Sequence, residues 1–149
     1  WLNDKVATAD GRRTVLISHH QLFTAFENIG GHAVNTRLLG QVGDVLPQTT
    51  VWFWGHEHDQ VIYKPWQGVL GRCIGHGAYP VGVTEIPAAP EFPDVPREPV
   101  TLSKGPSFYA HGYALLELNG PSMRVSYYQD SDPENVAMFT ETLGPGASS

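Results

Sequence analysis

The first clear pattern along the chain is residues 14–18, Thr-Val-Leu-Ile-Ser, a β-branched apolar run without polar alternation. A strand of that kind is covered on both faces, so the run is expected to lie centrally in a sheet. Residues 35–46 switch to helical spacing: Leu38, Leu39, Val42, Val45 and Leu46 form a stripe, with Asn35 placed to cap the helix and Pro47 to stop it. Residues 51–54, Val-Trp-Phe-Trp, form a second strand of buried type. Strand, helix, strand predicts a βαβ unit and so a parallel pair.

Further on, residues 60–63 and 69–74 read as strands joined across Lys64-Pro65-Trp66-Gln67-Gly68, which predicts a hairpin. Residues 113–118 and 123–128 flank Asn119-Gly120-Pro121-Ser122 and predict a second one. Between the two hairpins, Pro87, Pro90, Pro93, Pro96 and Pro99 recur at every third residue, one turn of polyproline II. Such spacing suits either a ligand for an aromatic-grooved partner domain or a stiff surface excursion. The second reading is preferred, with residues 86–99 free of helix and sheet and extended over the surface. The layout predicts an α/β (α+β) fold in one domain over residues 1–143, with 80–100 as an excursion within it and 144–149 as a disordered tail.

Composition adds limits rather than direction. At 149 residues, 41% hydrophobic and 16% charged, the chain has the make-up of an ordinary globular domain. No apolar run approaches the roughly 18 residues of a membrane span, so the chain reads as soluble and no membrane span is expected. Its compartment is left open, the cytoplasm being the favoured expectation. A net charge of -6 repels a phosphate backbone and argues against generic nucleic-acid binding. The single cysteine, Cys73, sits in an apolar stretch and reads as a small buried hydrophobe. The chain starts at Trp1, without an initiator Met or a leader, which is read as a sign of a longer polypeptide.

The candidate chemistry lies in the seven histidines. His19 and His20 directly follow the first buried strand, and Gly55-His56-Glu57-His58 directly follows the second. Ligands of open parallel sheets bind outside the carboxyl ends of the strands, so the βαβ unit is expected to bring both clusters to one edge. In an extended segment the side chains at i and i+2 share a side; His56 and His58 should then face a common centre while Glu57 points away. Gly55 would allow a sharp turn out of the strand. Imidazole suits zinc, iron, manganese or nickel, and the histidines alone do not choose among them. His20 could contact substrate, His76 could line the cleft, and Asp59 could orient a ligand imidazole. His32 and His111 read as structural or solvated, and Trp52, Phe53 and Trp54 as core packing.

Val15-Leu16-Ile17-Ser18-His19-His20-Gln21 resembles the penultimate motif of calcineurin-like metallophosphoesterases, and Trp54-Gly55-His56-Glu57-His58 resembles their terminal GHxH motif. The order and separation of the two also fit, and the closing hairpin is similar to the end of such a domain. The resemblance implies a four-layer αββα sandwich with mixed sheets, in which a two-metal centre of Mn, Fe or Zn hydrolyses phosphate mono- or diesters by attack of metal-bound hydroxide. By position, His19 and His56 would bind one metal and His58 the other. The family's Asp-x-His, Gly-Asp-x-x-Asp and Gly-Asn-His-Asp/Glu motifs are nowhere in the sequence; Asp44 follows Gly43, but in a helical pattern. The chain is therefore expected to be the C-terminal half of the domain, inactive alone, with the N-terminal half as its partner and a phosphate ester as substrate. Two other readings stay open. One is a metal-binding or interaction fragment without turnover; the other is an amidohydrolase-type site, which also uses an HxH after a strand but adds single ligands on later barrel strands.

Overall fold

The computed structural model describes residues 1–87 and 89–144. Its elements are a short helix α1 (Leu2–Ala7), strand β1 (Thr14–Ser18), helix α2 (Thr36–Val42) running into a 3-10 helix (Gly43–Gln48), strands β2 (Thr49–Trp54), β3 (Gln60–Ile62), β4 (Leu70–Ile74), β5 (Gly112–Asn119), β6 (Ser122–Gln129) and β7 (Phe139–Leu143). This is an α+β fold. One sheet has the order β1-β2-β4-β3 and the other the order β5-β6-β7. The expected tail at 144–149 lies outside the described residues except for Gly144.

The predicted βαβ unit is present, with β1 parallel to β2 from Thr14 opposite Thr49 to Ser18 opposite Trp54. Its helix begins where the capping pattern places it, the Asn35 carboxamide oxygen accepting from the Leu38 amide at 3.0 Å. The predicted single helix is two pieces. Gly40 and Gly43 weaken α-helical propensity in its second half, and Pro47 lies inside the following 3-10 turn instead of terminating an α-helix. β3 and β4 form the expected antiparallel hairpin. Its turn has Gln67 and Gly68 both at positive φ, 47° and 81°, the geometry that matches the twist of the flanking strands. The closing hairpin also forms, Asn119 pairing with Ser122. Strand β7 and helix α1 are both short and weakly patterned, and the sequence periodicity does not mark them.

Strand β2 explains the layering. Trp52 and Trp54 point to one side, where Phe23, Tyr63, Leu39, Val42 and Leu46 pack around them. Val51 and Phe53 point to the other, against Met123, Val125, Tyr127 and Leu143 of the second sheet. The result is a helical layer, a sheet and a second sheet. A second helical layer, the fourth that the resemblance implies, is absent among the described residues, and Tyr113 and Leu115 on the outer side of β5 are exposed. The expectation of a central β1 is corrected: among the described residues it pairs only with β2 and forms the sheet edge, and Ile17 is 74% exposed. An apolar groove of about 510 Å³ runs beside it, lined by Leu2, Val6, Leu16, Leu38, Val42 and Trp52.

The proline-rich stretch has no helix or strand among its described residues, as expected, but it is anchored rather than merely laid over the surface. Val95 is buried in the helix-side core beside Phe92, and the Phe92 amide donates to the Ala25 carbonyl at 2.9 Å. Glu98 and Lys64 make backbone hydrogen bonds with Ile62 and Pro96, which adds an isolated bridge, Tyr63 to Arg97, along the β3 edge. No described helix is long and apolar enough to cross a membrane.

The two sheets are also joined by a buried ion pair. Arg72 on β4 donates through Nε and Nη2 to the two carboxylate oxygens of Glu141 on β7, at 2.7 and 2.6 Å. Its Nη1 donates to the Tyr63 carbonyl, and the Tyr127 hydroxyl donates to Glu141. Each charge is therefore compensated and its remaining hydrogen-bonding capacity is largely used. Arg72→Met is expected to lower unfolding free energy by about 3–5 kcal/mol in urea titrations, because it strands Glu141 in the interior. Arg72→Met with Glu141→Leu should recover most of that loss; equal loss in the double variant would mean that the pair is not what couples the sheets.

Candidate metal centre

The carboxyl ends of β1 and β2 lie side by side, so the residues just beyond them meet. The ladder continues one step past the strands, the Gly55 amide donating to the His19 carbonyl at 3.2 Å. Beyond that step the chain turns sharply, and His56 takes a left-handed backbone conformation with φ of 57°. Such a φ is uncommon for a residue with a Cβ and occurs where the surroundings enforce it, often at functional sites. The sharp turn expected at Gly55 is instead made at His56: Gly55 has no positive φ, and an added Cβ there would meet nothing closer than 3.9 Å.

His56 Nδ1 lies 3.1 Å from His19 Nε2. The His20 ring closes the group, its centroid 4.9 Å from that of His19 and 4.5 Å from that of His56. Each of the three offers a ring nitrogen within 4.8 Å of the others, and all three are exposed. His20, expected as a substrate contact, is grouped instead with His19 and His56. His58 is brought only part of the way. The alternation holds, with Glu57 buried and His56 and His58 exposed, but the segment is a turn and not an extended strand. His58 lines the same cleft and leans on Tyr79, ring centroids 5.4 Å apart, outside the three-histidine group.

The cleft encloses about 410 Å³. Its histidine wall is His19, His56 and His58; Glu27, Glu57, Asp59 and Glu85 add carboxyl groups, and Phe26, Val81, Ile86 and Pro87 add apolar surface. Partial burial holds His56 below the usual histidine range, assisted by His20, His19 and His58, while Glu27 pulls the other way. A neutral imidazole is the form that ligates a metal. Burial likewise pushes the Asp59 carboxyl up to about 6, although its Oδ1 accepts from the Gln60 amide at 2.7 Å. Among the described residues no hydrogen bond links Asp59 to His19, His56 or His58, so the expected orienting contact is not made.

Several supporting residues carry no clear mark in the sequence. Ser18 Oγ accepts from Trp52 Nε1 at 2.8 Å and donates to the His20 carbonyl at 2.7 Å, tying the core tryptophan to the histidine turn. Glu57 is buried, which pushes its carboxyl up to about 8; it accepts from the Thr24 hydroxyl. Thr24 Oγ1 in turn accepts from the amides of Phe26 and Glu27, at 2.9 and 3.1 Å. Thus the residue between the two HxH histidines fixes the loop that carries Glu27 into the cleft. One signal does exist, since Thr24-Ala25-Phe26-Glu27 has the S/T-x-x-E spacing in which a hydroxyl caps amides two and three residues on.

His76 is corrected: it is fully buried, and the cleft does not include it. It wedges between the sheets under Gly112, where an added Cβ would lie 2.7 Å from His76 Nε2. Neither ring nitrogen makes a well-formed hydrogen bond. Burial therefore lowers its pKa to about 4, although the Tyr128 and Asp59 backbones lie near enough to raise it somewhat. Cys73 is fully buried and its thiol is pushed well up by desolvation, as its apolar context implied. His32 is exposed, and His111 Nδ1 lies 3.6 Å from the Asp130 carboxylate. No protein-family model matches this chain, and no curated protein matches its sequence.

The His76 environment predicts a pH dependence. A histidine depressed in the folded state stays neutral there while the unfolded chain takes up a proton below about 6.5, so stability is full above that pH and falls until the folded-state value near 4 is reached. The loss should approach about 3 kcal/mol, at roughly 1.4 kcal/mol per unit. In denaturant titrations between pH 7 and pH 4, His76→Gln should show a shallower acid loss than the wild type. Parallel curves would mean that His76 titrates normally.

Proposed function

We propose that the chain is the C-terminal half of a calcineurin-like metallophosphoesterase domain and supplies part of a two-metal centre that hydrolyses phosphate mono- or diesters. The observation that carries this reading is the 3.1 Å approach of His19 and His56 nitrogens from the ends of two parallel strands. Two imidazole nitrogens bound at about 2.1 Å to one tetrahedral ion lie about 3.4 Å apart, so the pair fits an ion with small side-chain adjustments. His20 stands as a third donor to that ion. His58, on the same cleft but apart from the group, suits the second.

A pair of Mn, Fe or Zn ions would supply water activation and charge neutralisation at phosphorus. The chain's own residues do the rest. Ser18 and the Glu57–Thr24 contact fix the two loops that bear the histidines and Glu27. Among the described residues the acidic cleft offers an anion no lysine or arginine, so substrate binding depends on metal binding. The partner implied by the reading is the N-terminal half of the domain, with the carboxylate-bearing motifs absent from this sequence. The uncovered edge of β1 and its apolar groove are consistent with such a partner.

The test is metal titration of the full chain by calorimetry with Mn²⁺ or Zn²⁺, together with phosphomonoesterase and phosphodiesterase assays. One ion is expected to bind weakly, with at least tenfold loss in His19→Ala and His56→Ala, and turnover should be very low. Restoring the upstream half should raise turnover by a factor of about 10² or more, the scale of one lost electrostatic contact. Robust turnover by the chain alone, abolished in His56→Ala, would refute the half-domain reading. Metal binding unchanged in both alanine variants would remove the metal centre.

A further inference from the structure

Among the described residues no lysine or arginine lines the histidine cleft. Its lining instead carries the carboxyl groups of Glu27, Glu57, Asp59 and Glu85, the last folded back so that it accepts from the Gly82 amide at 3.1 Å. The same cleft has an apolar lining of Phe26, Val81, Ile86 and Pro87, contributed by two separate loops. Phe26 is held in place from both ends: its amide donates to Thr24, and the Arg97 guanidinium lies 5.3 Å from its ring centroid. Building on the phosphoesterase reading, we infer that the cleft selects phosphodiesters carrying an apolar or aryl second substituent over phosphomonoesters.

Two effects act in the same direction. A phosphomonoester carries close to two negative charges above its second pKa near 6, whereas a diester carries one, so repulsion from Glu27 and Glu85 is about twice as large for the monoester. No guanidinium fork is present in the cleft to offset that difference. The second effect is hydrophobic. A diester has a further organic group to place on the wall of Phe26 and Ile86, which a monoester leaves in contact with water. The volume of about 410 Å³ is of the size that encloses a small organic ligand.

The experiment is phosphorus NMR line broadening of diphenyl phosphate, phenyl phosphate and dimethyl phosphate by the Mn²⁺-loaded full chain at pH 8, with Mn²⁺ affinity measured in parallel. Diphenyl phosphate should bind at least tenfold more tightly than either of the others. Phe26→Ala should remove most of its advantage over dimethyl phosphate, and Ile86→Ser, at a half-buried position of the same lining, provides the same reading should Phe26→Ala fold poorly. Glu85→Gln should narrow the gap between the diester and phenyl phosphate by about threefold. Phenyl phosphate binding as tightly as the diester, an order unaffected by the wall variants, or no broadening of any ester with Mn²⁺ bound would each overturn this inference and leave the metal centre standing. Failure of Mn²⁺ to bind, or binding indifferent to His56→Ala, would overturn the metallophosphoesterase reading and this inference with it.

Discussion

The parallel pairing of β1 with β2 is the constraint on which the candidate site depends. His19 and His56 are 37 residues apart in sequence, yet they meet because Ser18 stands opposite Trp54 and both chains leave the sheet at the same end. A slip of one residue would reverse the facing of every side chain in the shifted strand. The register is specified by β2, whose two faces are both buried: Trp52 and Trp54 fill the helix-side core, and Val51 and Phe53 the space between the sheets. Full burial of a side chain such as Phe53 contributes about 2–3 kcal/mol, so a slipped pairing would lose several such contributions at once. The packing that stabilises the fold is thus the same packing that aligns the histidines.

The turns beyond these strands are held less by apolar packing than by buried polar contacts. The left-handed backbone at His56 costs of order 1–3 kcal/mol and persists only if its neighbours enforce it. They do so by enclosing Glu57, whose carboxyl is kept protonated near neutral pH by burial and binds Thr24 across a separation of 33 residues. Gly75 completes the enclosure, its amide donating to the Asp59 carbonyl at 3.1 Å. With Glu57 drawn inward, the residues on either side face outward, which is how a sharp turn preserves the alternation that an extended strand would have given.

This division between apolar strands and polar-pinned turns accounts for what could be read from sequence. Residues 14–18, 51–54 and both hairpins carry their own period and turn chemistry, so their type and pairing depend on local composition, as at Gln67-Gly68. The approach of His19 and His20 to His56 follows from the parallel topology, and polar contacts in the turns complete it. The misses are tertiary in origin. The solvation of β1 depends on a neighbour that no local pattern reports. His76 comes after a strand as His19 and His56 do, but β4 is flanked by β3 and covered by β5 and β6, so its end is closed off. Ser18 contributes through side-chain hydrogen bonds to Trp52 and to the His20 carbonyl, which periodicity does not encode, and Glu27 is marked only by the Thr24-x-x-Glu27 spacing.

The two incomplete features of the structure lie on the same strand. An uncharged edge strand with a free ladder and an exposed Ile17 invites pairing, and folded proteins ordinarily cover or disrupt such edges. The strand that bears this edge also ends at His19 and His20, which gather with His56 in a group of three imidazoles that includes no carboxylate. On the proposed reading one element resolves both. A strand added parallel to β1 would satisfy its amides and carbonyls, cover the apolar groove, and deliver its own carboxyl end beside the histidines. An antiparallel neighbour would cover the edge equally well but would bring its amino end there. The direction of the added strand therefore separates simple edge protection from completion of the metal centre.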